Sequence, residues 1–572
     1  MASLPLPALR LPFRMAIVAL SSCLWMASCA PDSGEVFSRN LSSPLAISPP
    51  RPRTLLVHID YQTEENLSRL SEELDLLEHV DRAAGYVDAL VDEETYALLV
   101  QKGTTVEVDE EQTALLDKMS SMSTMSMPGF TCYRTVEETS ASMAQLAAEY
   151  PRLVRVVDAG DSYERATPGG NFGYDMQVLV ATNKATPGPK PRFFLMGAIH
   201  SRELTTAETA MRFAEEVITA YGIDPDATWL LDNYELHVLP QSNPDGRKLA
   251  EQGYWQRKNR RPGGGCSEPP NSNSQIGIDL NRNFAHEWGG AGSNASPCDL
   301  VYRGESPASE PETAAMQNYI ASIFPDQRGS NATDPAPSTT TGVMVTLHSY
   351  AALVLYPWGY SSDSAPNTTE LATLGRKFGY FNHYEVCQGP SCLYAASGVT
   401  DDWAYGELGI ASYTFEIGSA FFEPCSSFTQ TVLPDNLSAL RTAFKHARRP
   451  YQTPKGPDAL SAAVSSSSVP AGTVVTLTAV VDDTRYNSNG WGTEATQNIA
   501  AARYSVDRAS WASGATTFSM SPSDGAFSAK SEGVTASVST AGWAPGRHLI
   551  YVEGQDANGN WGAPTGVFLT IQ

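Results

Sequence analysis

A chain of 572 residues is too long for one ordinary domain, and roughly two to four are expected. With 42% hydrophobic and 18% charged residues it can bury a sizeable core. A formal net charge of −24 argues against nucleic acid as a partner, which needs a basic face, and does not by itself identify a substrate.

Arg10 and Arg14 precede a short apolar run at 15–27, too short to span a bilayer comfortably, so residues 1–29 read as a secretory signal. Within it, Met26-Ala-Ser-Cys29 resembles the lipobox of bacterial lipoproteins, where a lipidated Cys29 would attach the chain to a membrane. An ordinary signal peptide with an incidental cysteine is the alternative. Either way the chain is expected to be exported, to the cell envelope or the medium. Residues 30–52 are rich in Ser and Pro and read as a tether.

Over 53–118, strands are expected at 54–59, 86–91 and 104–108. Helices are expected between them, one marked by Leu67, Leu70, Leu74 and Leu77, the other at 92–101. This pattern predicts a small β-α-β-α-β module, followed by a Met/Ser-rich linker at 119–129. From 130 to 452, strand patterns at 174–181, 192–199, 234–239, 343–348, 353–356 and 412–417 alternate with helical ones. Several are apolar throughout, as strands covered on both faces are. An α/β domain with a central sheet flanked by helices is expected there. Beyond 457 the composition shifts to Ser, Thr, Ala, Val and Gly, with strict alternation at 473–480 and 548–552. An immunoglobulin-like β-sandwich is predicted over 458–572. Asp556-Ala-Asn-Gly-Asn560 reads as a hairpin turn, since it lacks the spaced acidic ligands of a calcium loop. Of the eight cysteines, setting aside Cys23 and Cys29 leaves an even six, which in an exported chain favours disulfides.

The chemistry concentrates at His200-Ser-Arg-Glu203, directly after the apolar run 193–199 and at the start of a helical stretch reaching about 221. A histidine and a carboxylate so placed can face one point above the carboxyl end of a sheet. Zinc accepts His nitrogen and Glu oxygen, and its catalytic sites use three protein ligands with one position open. His348, closing a second apolar strand, is the candidate for the third. His237, His286 and His383 lack such a setting and read as structural or surface residues.

Taken in order, a set of segments completes the picture. They are Gly197-Ala-Ile-His-Ser-Arg-Glu203, Ser242-Asn-Pro-Asp-Gly246, Arg257-Lys-Asn-Arg260, Asp279-Leu-Asn-Arg-Asn283, the stretch from Cys298 to Glu312, Leu347-His-Ser-Tyr350, Leu355-Tyr-Pro-Trp-Gly359, the stretch 394–403 and Thr414-Phe-Glu416. With them, residues 130–450 resemble the zinc carboxypeptidases of the pancreatic A/B type and their bacterial carboxypeptidase T-like relatives. The resemblance implies a mixed central sheet, one zinc ion per catalytic domain held by His200, Glu203 and His348, and Glu416 as general base. It further implies that Arg257 stabilises the oxyanion and that Asn281 and Arg282 grip the substrate's terminal carboxylate. Tyr394 would close over the substrate, Arg202 would face the penultimate positions, and Asp279 would orient His200. Arg257, Arg260 and Arg261 lie close enough for the oxyanion role to slip among them. Asp401 stands at the position that lines the family's specificity pocket and implies a preference for C-terminal Lys or Arg, provided Gly389 leaves room for a long side chain. A broad pocket with Asp401 bonded to a loop is the alternative.

The same resemblance pairs Cys266 with Cys298. The other four cysteines can pair in three ways, of which loop length favours Cys387–Cys392 and Cys132–Cys425. The module at 53–118 sits where relatives carry a prosegment; a permanent domain is the other reading. The expected partners are peptide and protein C-termini, met by a monomer. Two other functions compete: a zinc hydrolase of cell-wall peptides, and an inactive binding or adhesion protein built around the sandwich.

Overall fold

The computed structural model describes residues 53–114 except 111, and 130–572 except 170–171, 272–273 and 489–491. The expectations for the signal, Cys29, the tether and the linker lie outside the described residues. Everything below belongs to one contact unit, Arg51–Gln572.

The first sheet is built from β1 (Thr54–Asp60), α1 (Glu64–Glu73), β2 (Asp75–Asp81), β3 (Tyr86–Asp92), α2 (Glu93–Gln101) and β4 (Val106–Val108). Its order is β2-β3-β1-β4, antiparallel throughout. The expected β-α-β-α-β module is therefore one strand short. Leu67, Leu70, Leu74 and Leu77 do recur at helical spacing, yet α1 ends where Leu74 turns extended (φ −132°, ψ 158°), and Leu77 lies in β2. Both arrangements bury the same leucines, so periodicity alone could not separate them.

The central sheet has eight strands: β5 (Val154–Asp161), β6 (Asp175–Ala181), β7 (Arg192–Met196), β8 (Glu235–Leu239), β9 (Val343–His348), β10 (Leu353–Tyr356), β11 (Glu385–Gln388) and β12 (Ala411–Glu416). Their order is β11-β10-β12-β9-β7-β8-β6-β5, mixed as expected, with β12, β9, β7 and β8 parallel in the middle. The longer helices are α3 (Val136–Glu149), α4 (Leu204–Thr219), α5 (Pro225–Asn233), α6 (Pro244–Ala250), α7 (Pro311–Ile323), α8 (Thr368–Asn382), α9 (Thr400–Leu408) and α10 (Leu433–His446). Alternation along β7 explains the layering. Phe193 and Leu195 join a core with residues of α4, α5, α8 and α10, while Phe194 and Met196 join a second core with residues of α7 and α9. A strand buried on both sides has no polar face, hence the unbroken apolar runs.

The third region carries β13 (Asp458–Val464), β14 (Ser468–Val469), β15 (Val474–Asp482), β16 (Ile499–Val506), β17 (Thr517–Pro522), β18 (Ser531–Ser539), β19 (Gly546–Asp556) and β20 (Thr565–Ile571). They run in the order β13-β15-β18-β17-β16-β19-β20-β14 around one core. On β15, Val475, Leu477, Ala479 and Val481 point inward while Val474, Thr476, Thr478 and Val480 are exposed, the period-two pattern of a one-sided sheet. Asp556 Oδ1 accepts from the Asn560 N–H at 2.7 Å, closing the turn expected there. Asp226 on α5 fastens this region to the central one, accepting the Gly566 N–H at 2.8 Å and the Lys445 ammonium.

Three disulfides join Cys132–Cys425, Cys266–Cys298 and Cys387–Cys392. Among the described residues, no helix is long and apolar enough to cross a membrane.

Candidate metal centre and substrate cleft

Three parallel neighbours deliver the central groups. β7 ends at Met196, and a tight turn carries His200 and Glu203 to the start of α4. A Cβ on Gly197 would stand 2.8 Å from the Thr206 carbonyl oxygen, so only glycine lets the turn lie against the helix. Thr206 locks it: its hydroxyl accepts the Ala198 N–H (2.9 Å) and donates to the Glu203 carbonyl (2.7 Å). His348 is the last residue of β9 and Glu416 the last of β12, directly opposite one another in register.

The result is a buried triad. His200 Nδ1 lies 2.7 Å from Glu203 Oε1 and 3.2 Å from His348 Nδ1, and His348 Nδ1 lies 3.4 Å from Glu203 Oε2. One ligand atom from each residue falls within 4.8 Å of the others. Glu203 Oε2 has no hydrogen-bond partner among the described residues although it is buried. A buried carboxylate oxygen facing two imidazole nitrogens is what a cation would satisfy, and two His with one Glu is a zinc donor set. Burial would raise the Glu203 carboxyl, but the two imidazoles outweigh it and hold it below the usual range, ionised as a ligand must be. On the far side of His200, Nε2 meets Asp279 Oδ1 at 3.2 Å, the carboxylate–histidine pairing that orients a metal-binding ring. Burial opposes ionisation of Asp279 as well, and Arg257 and His200 reverse it.

Asp279 also accepts from Arg257 Nε at 3.0 Å, fixing that guanidinium next to the triad. Arg260 pairs with Glu164 and Arg261 with Glu310, so of the three neighbouring arginines only Arg257 reaches the cleft. Asn281 Oδ1 accepts the Thr400 N–H at 3.0 Å, which aims its amide nitrogen toward His348 Nε2 at 3.5 Å. Arg282 is steered by the carbonyls of Gly292 (2.6 Å) and Asn281 (2.8 Å).

One cleft collects the predicted groups: His200, His348, Arg257, Asn281, Arg282, Tyr394, Asp401 and Glu416 all line it. Leu355, Gly359, Gly389 and Thr414 complete its wall. Arg202 stands apart, fully buried with its guanidinium 4.4 Å above the Phe421 ring. Burial pushes the pKa of Asp401 up, with backbone N–H groups, nearby His348 and the Thr414 hydroxyl pulling the other way. The first sheet closes over this region. Val80 packs with Leu353, Leu355 and Leu393, Arg82 donates to the Leu393 carbonyl at 2.7 Å, and Tyr350 donates to Asp88 at 3.4 Å. Tyr394 packs against the core of that sheet.

The histidines read as structural are so placed: His237 bonds Tyr319, and His286 stacks on Trp358. Sequence reasoning missed the fully buried Gln256, Asn259, Gln275, Asn283, Glu310 and Glu312, which knit the segments bearing Arg257 and Arg282 together. Asn259, Asn283, Glu310 and Glu312 fall inside the segments that carry the resemblance, but nothing there attached a role to them.

The profile of the family described as "Zinc carboxypeptidase" matches residues 139–437. Carboxypeptidase A2 of Rattus norvegicus is 32% identical over 338 residues, which cover 56% of this chain and 72% of that protein. Carboxypeptidase A2 of Mus musculus is 30% identical over 373 residues, covering 62% and 80%. Among solved structures, carboxypeptidase A from Helicoverpa armigera superposes with a TM-score of 0.56 over 69% of this chain and 98% of that one. At 23% identity the likeness is one of fold.

Proposed function

The chain belongs to the zinc carboxypeptidase family, and from that premise we propose that it removes the C-terminal residue of peptides and proteins, preferring Lys or Arg, after export from the cell. The observation that carries this reading is the convergence of a carboxylate grip, a base and the His/Glu triad on a single cavity. His200, Glu203 and His348 would hold zinc, which when bound supplies Lewis acidity for the scissile carbonyl and for water. Glu416, facing His348 across the strand pair, takes a proton from water and returns it to the departing amine. Arg257, fixed by Asp279, meets charge as it develops on the carbonyl oxygen, where a preset cation in a dry cleft is most effective. Asn281 and Arg282 bind the terminal carboxylate, for which a planar fork of donors is suited. Tyr394 closes behind it. Such a grip at fixed reach selects chain ends over internal bonds.

Asp401 supplies the basic preference: it is buried, lines the cavity, and has no Lys or Arg of the described residues paired with it. Gly359 and Gly389 face one another nearby, a Cβ on Gly389 coming within 3.2 Å of the Gly359 Cα, so the wall carries no side chain there. Residues 53–118 act as a prosegment, holding Tyr394 and the Leu393 carbonyl until removed. The signal at 1–29, lipidation at Cys29, catalytic limits of 130–452, a separate β-domain at 458–572 and a monomeric state belong to the same proposal. A cell-wall peptidase would be favoured by clamp residues turned from the cleft, and these line it.

The test uses the mature protein and peptides ending in Lys, Arg, Leu, Phe or Glu, with and without a zinc chelator. Release of basic ends, abolished by the chelator, is expected; release from none of them would sink the reading.

A further inference from the structure

Two irregular segments carry the polar machinery: 255–261 bears Arg257, and 275–284 bears Asp279, Asn281 and Arg282. Neither belongs to a sheet, yet both are largely buried, so their backbone groups need partners that strands would otherwise supply. Asn259 is the main link. Its backbone N–H donates to the Ile278 carbonyl (3.0 Å), and its side-chain oxygen accepts the Ile278 N–H (2.8 Å). The approach is so close that a Cβ on Gly277, at φ +93°, would lie 1.9 Å from the Asn259 carbonyl oxygen.

The amide nitrogen of Asn259 is held in turn by two carboxylates at the start of α7. Glu310 Oε2 accepts from it at 2.8 Å and Glu312 Oε2 at 3.2 Å. Glu310 reaches the second segment too, its N–H donating to Asn283 Oδ1 at 3.2 Å. All four side chains are fully buried.

We propose that Glu310 and Glu312 are positioning residues for the reaction: through Asn259 and Asn283 they set the spacing between the Arg257 segment and the Asn281–Arg282 segment. The inference rests on the roles given above to Arg257 and Arg282. Two carboxylates on one amide cannot both stay charged cheaply in a buried site. Arg261 pairs with Glu310 at 2.8 Å, which fixes the charge there. Glu312 faces Glu310 and, from α6, Asp245; its other oxygen accepts the Tyr163 N–H at 2.8 Å. Burial first, then these two acids, push its carboxyl up to about 8, against the pull of the backbone N–H groups. At neutral pH Glu312 is therefore the uncharged member of the pair.

The experiment compares Glu312→Ala and Glu312→Gln in the mature, zinc-loaded enzyme. Losing a supporting partner of a site typically costs roughly 10- to 100-fold in activity. Glu312→Ala should lower kcat by that factor with KM little changed, because Arg282 keeps its own carbonyl anchors. Glu312→Gln, neutral and of the same shape, keeps one acceptor for either the Asn259 amide or the Tyr163 N–H and sets its NH2 against the other donor, so its kcat should fall between those of wild type and Glu312→Ala. It should also lift the alkaline fall in activity that Glu312 ionisation imposes near pH 8. Glu312→Ala within twofold of wild type, Glu312→Gln as damaged as Glu312→Ala, or an unmoved alkaline limb would each overturn the proposal. Should Glu312→Ala not fold, Asn259→Ser takes its place with the same kcat expectation, and unchanged kcat overturns it. A wild-type enzyme releasing no C-terminal residue would instead refute the function itself.

Discussion

Replacing Asp401 by Asn should separate basic from apolar C-terminal residues. The carboxylate is buried near His348 and the Thr414 hydroxyl, and no Lys or Arg of the described residues pairs with it. A substrate's Lys or Arg side chain would supply the missing cation. Asn keeps the shape and removes the charge, leaving a bound ammonium or guanidinium without its counterion. Removing one member of a buried pair costs about 3–5 kcal/mol. At about 1.4 kcal/mol per factor of ten, this is a loss of roughly 10²- to 10³-fold or more in kcat/KM for Lys and Arg ends. Peptides ending in Leu or Phe never use the charge and should change by less than about threefold.

The assay is kcat/KM on peptides identical but for the last residue, for wild type and Asp401→Asn, across pH. Burial raises the Asp401 pKa, so on acidification it is neutralised at a higher pH than an exposed Asp. Wild-type preference for Lys and Arg should therefore strengthen as pH rises through that ionisation, and the Asn variant should show no such trend. Equal losses on basic and apolar ends, or a wild-type preference for Leu or Phe, would refute the role of Asp401.

Glu416→Gln should lower kcat by roughly 10²- to 10⁴-fold, the range of a lost general base, while bound zinc measured by elemental analysis stays stoichiometric; retained turnover removes the assignment. Zinc should be lost on acidification. Burial and Arg257 lower the His200 pKa, but Glu203 and Asp279 together raise it, so protons compete for the ligand from a higher pH than for a free imidazole. Dialysis at pH 5 should strip metal that dialysis at pH 8 leaves, and equal retention would contradict the triad. Asp226→Ala should cost about 3 kcal/mol, the low end for a broken buried pair because the side chain keeps 17% exposure. Denaturant titration reads the loss, and an unchanged midpoint would show that the seam at Lys445 and Gly566 contributes nothing.

How far the chain could be read depended on the range of the forces involved. His200, His348 and Glu416 each follow an apolar strand, so a local pattern announces their position, and the parallel sheet then brings them together. The Leu67–Leu77 spacing misled because α1 followed by β2 hides the same leucines as a longer helix would. Strands β5 and β11 were missed at the sheet's two edges, β5 being half-exposed and β11 only four residues long. Arg257, Asn281 and Arg282 lie on segments without periodicity and were reached only through resemblance. Glu310 and Glu312 lie in a stretch that carries the resemblance, but no role could be read for them. Acidic residues at a helix start are ordinarily solvated and favoured there by the helix dipole, and nothing in Glu310-Pro-Glu312 distinguishes this pair. What distinguishes them is that 255–261, lacking a strand partner, folds against α7 and presents the Asn259 amide to both carboxylates. Burial then converts a solvated charge into a neutral acid and a helix cap into a spacer between two arms of the cleft. The support of a site is decided by which segments close over it, so it becomes legible only once the tertiary contacts are known.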